Sequence, residues 1–488
     1  HRALNANTTA DSNTAVGRDA LFTNTTGGEN TAVGAFALDT SNSTGNTAVG
    51  NAALTSLTTG SYNVAVGRNA LADQTTASDN VAIGNKALES NTTGTNNVAV
   101  GANALDANTT SSDNTGIGDN ALGANTTGAQ NTAVGSGSLN ANTTASNNTA
   151  VGYQALTTNS TGAANSALGR RSLRLNTTGD YNVAIGYQAL EANTTANSNT
   201  AVGYNALLSN TTGTYNVAIG ANALDANTTA NNNIAVGYNA MTSNTTGASN
   251  TALGSSALTA NTTASSNVAI GDVSMYTNTT GANNTAVGTY SLYSNTTGGS
   301  GTAVGYQALY ANTTGEENVA VGRAALAANT TGNYNTAVGK GALAANTTGE
   351  YNTAVGRLAL DAVTTADNNN AFGYIALGKC TTGTRNCAFG RSAGQEVTTA
   401  SSNTLIGHDA GGNLSTGDHN TVVGRSSGVG LTTGTQNVII GSECQGSGNT
   451  SNQTMVGYLA GNSASCLLYT SDAADEGLGV DLGGRRII

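Results

Sequence analysis

The sequence predicts an all-β fold, a single-stranded parallel β-solenoid of about 27 coils with a 17-residue repeat. Three observations predict it. A glycine closing an A-V-G-like triplet recurs from Gly17 to Gly457, every 17 residues except for two spacings of 16, Gly34 to Gly50 and Gly441 to Gly457. The residues before it, as in N-T-A-V-G, are rich in Thr, Val and Ile, which favour strands. The 488-residue chain also contains no proline, where average usage would supply about 24. A proline in a continuously paired strand would delete a ladder hydrogen bond from its coil.

Each element follows from the idealised unit N-[TV]-A-[VI]-G-x-x-A-L-x-x-N-T-T-[GA]-x-x. Seventeen residues are too few for a helix pair or a propeller blade. N-T-A-V-G reads as a strand in which Thr14 and Val16 share one face, and Asn13, Ala15 and Gly17 the other. The glycine makes a corner, A-L begins a second short strand, and N-T-T-G supplies a turn. Stacked units then pair their backbones with the coils above and below. At roughly 4.8 Å per coil the array would form a rod of about 130 Å. No spacer interrupts the period. Residues 1–389 are regular A-L units, and residues 390–465 are divergent A-G units of the same solenoid.

The repeat also indicates what points inward. The Leu of A-L persists from Leu4 to Leu377, through Leu21, Leu190, Leu309 and Leu343, apart from Met241 and Met275. It then becomes Gly394, Gly411 and Gly428, while the Asn of N-T-T becomes Val397, Leu414 and Leu431. Loss of an apolar group at one position and its gain three residues later implies that both face the core, whose volume is conserved. Most coils would then stack an internal Asn ladder, represented by Asn329, beside the Leu ladder, with the amides hydrogen-bonded along the axis. The Asn-Ala-Gly face of the strand presents a smooth alanine stripe. Packing of that stripe against identical rods, as a homotrimer, is the expectation; the competing reading is that alanine simply fits a narrow coil.

Composition narrows the function. Only 9% of residues are charged, the net charge is −11, and no Lys/Arg run or basic patch is evident, which argues against nucleic acid as a partner. No apolar run reaches membrane-spanning length. There is no Ser-His-Asp arrangement, phosphate loop, Cys-x-x-Cys or glycine-aspartate calcium repeat, so no enzyme, cofactor or metal is expected. Cys380 and Cys387 read as small core residues, with a contact across one coil as the alternative. His408 and His419 lie in no ligand motif. N-T-T matches a glycosylation acceptor but falls at an inward position. Its threonine ranks suggest ice binding, against which stands the opposite pointing of adjacent residues in a strand. Tyr153, Tyr187, Tyr204, Tyr238 and Tyr306 follow the corner glycine, and Tyr62, Tyr181, Tyr215, Tyr334 and Tyr351 precede the strand Asn. These are candidate surface contacts to a protein or glycan.

N-[TV]-A-[VI]-G-x-x-A-L resembles the head repeat of trimeric autotransporter adhesins of the YadA type. The longer TAVGYQALYANTTG at 302–315 is still more similar to repeats of phage tail-fibre proteins, as are GRSAG and IGHDAGG in the later units. The resemblance covers residues 3–465. It implies a left-handed parallel β-roll, assembled as a trimer, in a virion tail fibre or at the bacterial cell surface. A tail-fibre shaft is the first expectation and an adhesin head the second.

Two features concern the ends. The chain begins His1-Arg2-Ala3-Leu4, inside a repeat, so a preceding segment is expected. Residues 466–488, CLLYTSDAADEGLGVDLGGRRII, fit no unit. Back-translated, Cys466–Glu476 and Gly479–Ile488 match the two halves of a transposase-type sequencing adapter, separated by a barcode-sized gap. This segment reads as adapter translation rather than native sequence, and the gene as a metagenomic fragment.

Overall fold

The computed structural model describes residues 2–446 and 448–461, so the segment read as adapter lies outside the described residues. Two compact units make up the chain, His1–Ser265 and Ser266–Ile488. Each is a parallel β-solenoid with one three-residue strand per coil. Strands run from β1 (Thr14–Val16) to β15 (Thr251–Leu253) in the first unit, and from β16 (Val268–Ile270) to β27 (Thr454–Val456) in the second. There is no helix among the described residues, and hence none long and apolar enough to cross a membrane.

Register is kept residue for residue. Thr14, Ala15 and Val16 pair with Thr31, Ala32 and Val33, and in the second unit Val319, Ala320 and Val321 pair with Thr336, Ala337 and Val338. The short coil between Gly34 and Gly50 does not break this, because Thr31 still pairs with Thr47. Its missing residue is absorbed in the turn. There Asn42 occupies the place of the Thr pair, and its Oδ1 accepts from both the backbone N–H and the hydroxyl of Thr25.

The strand faces are the reverse of one expectation. Ala32, Ala48, Ala65 and their equivalents are fully buried inside the coil, so the alanine stripe does not reach the surface. The outward residues are mostly Thr or Val at the first strand position, with Ser166, Ile234, Asn370 and Cys387 as exceptions, and Val, Ile, Leu or Phe at the third. Val16 is 59% exposed, Leu168 50% and Ile219 41%. Alanine faces inward because the coil is too narrow there for anything larger, until the divergent units replace it.

The second strand expected at A-L is absent: this segment is a turn. The Leu is held at positive φ, +49° at Leu21 and +51° at Leu343, and the residue two before it usually is as well. A left-handed Leu costs about 1–2 kcal/mol, while burying its side chain returns about 1.5–3 kcal/mol. Burial wins narrowly. Leu21, Leu190, Leu309 and Leu343 are all fully buried.

This backbone explains the A-G units. Gly394, Gly411 and Gly428 keep the same left-handed conformation, φ +58° to +63°, and relieve the strain. The lost volume is refilled from two positions. Val397, Leu414 and Leu431 take the Asn place, and Leu405, Val422 and Ile439 take the alanine place, all fully buried. A Cβ on Gly394 would lie 2.4 Å from Leu405 Cδ1, and one on Gly428 2.9 Å from Val422 Cγ1. The strand position is therefore the direct partner of the exchange.

Two asparagine ladders run through the core. In the first, Asn329 Nδ2 donates to Asn312 Oδ1 at 2.8 Å and to Gly332 O at 3.0 Å, and Asn346 Nδ2 donates to Asn329 Oδ1 at 2.8 Å. The ladder stops where Val363 takes the Asn place, which leaves Asn346 Oδ1 buried without a partner. In the second, the strand Asn accepts from the backbone N–H of its counterpart in the next coil, as Asn182 N–H to Asn165 Oδ1 at 2.9 Å, with a gap where Gly301 takes the Asn place. Its amide donates across the coil, Asn182 Nδ2 to Ala196 O at 2.9 Å. Buried carboxamides are thus satisfied partly within a coil and partly by the neighbouring coil, except where the first ladder ends.

The corner glycine is fixed by contact as well as by conformation. Gly17 has φ +138°, and a Cβ there would lie 2.4 Å from the carbonyl oxygen of Gly34. Successive corners touch backbone to backbone, and no side chain fits between them.

Candidate functional site

The residue after the corner glycine points outward, so its side chains form a rank up the solenoid. In four consecutive coils of the first unit that rank reads Tyr153, Arg170, Tyr187, Tyr204. The Arg170 guanidinium carbon lies 5.8 Å from the Tyr153 ring centre and 5.6 Å from that of Tyr187. Tyr187 stacks on Tyr204, centroids 5.5 Å apart and planes within 8°. Arg170 therefore sits between two aromatic rings, an arrangement worth about 0.5–1 kcal/mol per ring at an exposed site. Among the described residues it has no ion-pair partner.

A second rank lies beside it. Arg171 and Arg174 both approach Glu191 Oε1, with their Nε atoms at 3.3 Å and 2.7 Å. The other Glu191 oxygen accepts from the Gln188 amide. The Glu191 side chain is only 8% exposed and accepts from Arg174 Nε, so Arg174 is anchored rather than free to swing, whereas Arg171 Nε is buried beside the same oxygen without a hydrogen bond. Backbone hydrogen bonds tie the ranks together, from Arg171 N–H to Tyr153 O at 3.0 Å and from Gln188 N–H to Arg170 O at 3.1 Å. Three arginines against one carboxylate leave this patch locally positive. The expectation that the chain has no basic patch fails here, within a protein of net charge −11.

Of the tyrosines singled out in sequence, Tyr153, Tyr187 and Tyr204 are brought together by Arg170. Tyr238 is exposed and separated from Tyr204 by the coil carrying Ala221. Tyr306 belongs to a different cluster in the second unit. There Tyr276, Tyr293 and Tyr310 stack at 5.4 Å and 5.3 Å, and Tyr290 meets Tyr293, Tyr306 and Tyr310 edge-on. The 17-residue spacing of Tyr276, Tyr293 and Tyr310 was the sequence signal for this cluster. For the first patch it was R-R-x-x-R at 170–174. Because the stacked rings cover each other's faces, the second cluster presents mainly edges and hydroxyls. Burial, and after it the neighbouring Tyr310, Tyr276 and Tyr290, push the Tyr293 phenol up.

The remaining candidates resolve as structural. Cys380 is buried and free, its Sγ directed at Gly383 O at 3.4 Å, and burial pushes its thiol up to about 11. Cys387 is also free, and stands on the outward strand position, paired between Asn370 and Thr404. The two therefore lie on opposite sides of the coil wall rather than approaching each other. The His408 side chain pairs with its neighbour Asp409, Nδ1 to Oδ2 at 2.9 Å. No group of three metal-ligating side chains occurs among the described residues. The asparagines of N-T-T are interior, as at Asn91, Asn108 and Asn329. The threonines after them do not alternate as strand residues would. The first is half-buried with its hydroxyl donating to the next coil, as Thr92 Oγ1 to Thr109 O at 3.0 Å, and the second is exposed.

No family model matches the chain, and no curated protein matches it.

Proposed function

We propose that the protein is the shaft of a structural or adhesive fibre, assembled as a homotrimer. The observation that carries this reading is the outward aliphatic stripe of the strands. It continues coil after coil within each unit, and Phe372 and Phe389 stack on it at 4.4 Å. Contiguous apolar surface of this kind marks an interaction face. A partner offering one apolar contact per coil needs the same axial repeat, and a second copy of this chain has it. The stripe thereby replaces the buried alanine face as the element that association would cover. The resemblance to tail-fibre repeats favours a phage tail fibre, located on the virion. The head of a bacterial trimeric surface adhesin is the second reading, favoured by the tyrosine–arginine patch. Neither requires catalysis.

The test is the mass of the folded protein in solution, for example by light scattering coupled to size exclusion. A trimer of the 48.0 kDa chain is expected, and Ile185→Asp together with Ile219→Asp should dissociate it. A monomeric wild-type protein would refute the assembly.

A further inference from the structure

We propose that the patch formed by Tyr153, Arg170, Tyr187, Arg171 and Arg174 is a binding site for a carboxylate-bearing saccharide, such as a uronic or sialic acid unit of a surface glycan. The inference stands on the patch itself and is independent of the oligomeric state.

Three features define the ligand. The first is charge. Arg171 and Arg174 are held by Glu191, but Arg170 carries a planar fork of donors with no acid partner among the described residues. A guanidinium of this kind is matched by a carboxylate or phosphate, which it can bind through two parallel hydrogen bonds. The second is the aromatic flank. Tyr153 is 48% exposed and lies against Arg170, so ring surface adjoins the cation. A bare anion makes no use of that surface, whereas the C–H face of a pyranose does. The third is preorganisation. Arg170 lies between two rings, Tyr187 is backed by Tyr204, and Glu191 fixes the neighbouring Arg174 and receives the Gln188 amide. Ordering these side chains is therefore not a cost of binding. Gln154, next in the chain to Tyr153, offers an amide for hydroxyl recognition. An extended polyanion such as nucleic acid would need a longer basic track than these few coils supply.

The experiment uses the full chain immobilised against matched probes: sialyllactose, a glucuronic-acid disaccharide, lactose and inorganic phosphate. Binding of at least one carboxylated saccharide, with lactose not retained, is expected. Affinity should fall as salt rises from 50 to 300 mM. Arg170→Gln should weaken it about ten- to a hundredfold. Tyr187→Ala should weaken it less, and Arg323→Gln on the second unit should leave it unchanged. Circular dichroism of each variant checks the fold, and Arg170→Lys separates bidentate recognition from simple charge, since lysine cannot supply the fork. Equal retention of lactose, competition by phosphate as strong as by the saccharide, failure of both carboxylated probes, or undiminished binding by a folded Arg170→Gln protein would each overturn the proposal.

Discussion

Replacing Asn329 by valine tests whether the internal amide ladder stabilises the coils. The change removes the donor to Asn312 Oδ1 and the acceptor of the Asn346 amide. Gly332 O keeps the Asn318 amide at 2.7 Å, and Asn346 keeps its bond to Gly349 O at 3.0 Å. The principal damage is one orphaned oxygen and one orphaned amide proton, each costing about 1–3 kcal/mol when buried. The valine methyls return about 1 kcal/mol of burial. A net loss of about 3 kcal/mol is expected. The chain contains the converse experiment at Val363, where the ladder already ends and Asn346 Oδ1 is unpartnered. Val363→Asn supplies that missing donor and moves the open end to Cys380, so its cost should lie within about 1 kcal/mol of zero. Because long repeat arrays do not unfold in one step, the assay is native-state hydrogen exchange read on peptides spanning residues 312–349. Asn329→Val should speed exchange there about a hundredfold, and Val363→Asn hardly at all. Equal effects of the two substitutions would refute the argument that the ladder, rather than core volume, carries the stability.

Other outcomes follow from the same structure. Leu343→Asp should unfold its coil locally, by about 4 kcal/mol or more, since it places a charge in a fully buried site, while Glu350→Ala, which removes a half-buried carboxylate that accepts the Asn333 amide, should cost about 1 kcal/mol at most. Cys380 should resist alkylation at pH 8 until the chain is unfolded, whereas Cys387 on the outward face should react. Because the Cys380 thiol is raised from 9.0 to about 11 in the fold, its contribution is fully present below pH 9. It is lost as pH rises from about 9 to 11, by up to about 3 kcal/mol relative to Cys380→Ala. Asp39, Asp106, Asp225 and Asp361 are all pushed up, chiefly by burial. Their protonated forms are favoured in the fold, so their contribution is present in acid and lost as pH rises through their folded values; denaturant midpoints measured from pH 3 to 7 should show it.

What the sequence revealed depended on the kind of inference. Period, strand position and the burial of Leu and Asn were legible, because substitutions in one coil can be read against twenty-odd others. The orientation of the strand was not. Alternation says which residues share a face and is silent on which face is inside, and polarity misleads when Asn is the interior residue and Val the exterior one. The substitutions of Leu405, Val422 and Ile439 for alanine held the answer, since large aliphatics appear there in the same units that lose their Leu. The left-handed leucines could not be anticipated, because nothing in the residue type suggests that conformation; Gly394, Gly411 and Gly428 hint at it only once the backbone is known. At the patch the tyrosines were visible as variable outward positions. The arginines between them went unremarked, because a global charge of −11 conceals a cluster drawn from neighbouring coils.

The corner glycines have a consequence for how such a chain changes over generations. Each corner closes on the backbone of the next, and what it requires of its neighbour is another corner of the same kind. A coil therefore carries no address. Removing one by recombination between neighbouring repeats in the gene brings together two surfaces that already fit, and duplicating one does the same. Length can drift in steps of about 4.8 Å without any compensating substitution, whereas a single missense change at a corner is felt by two coils at once. In this protein the whole repeat, rather than the residue, is the unit in which variation is tolerated.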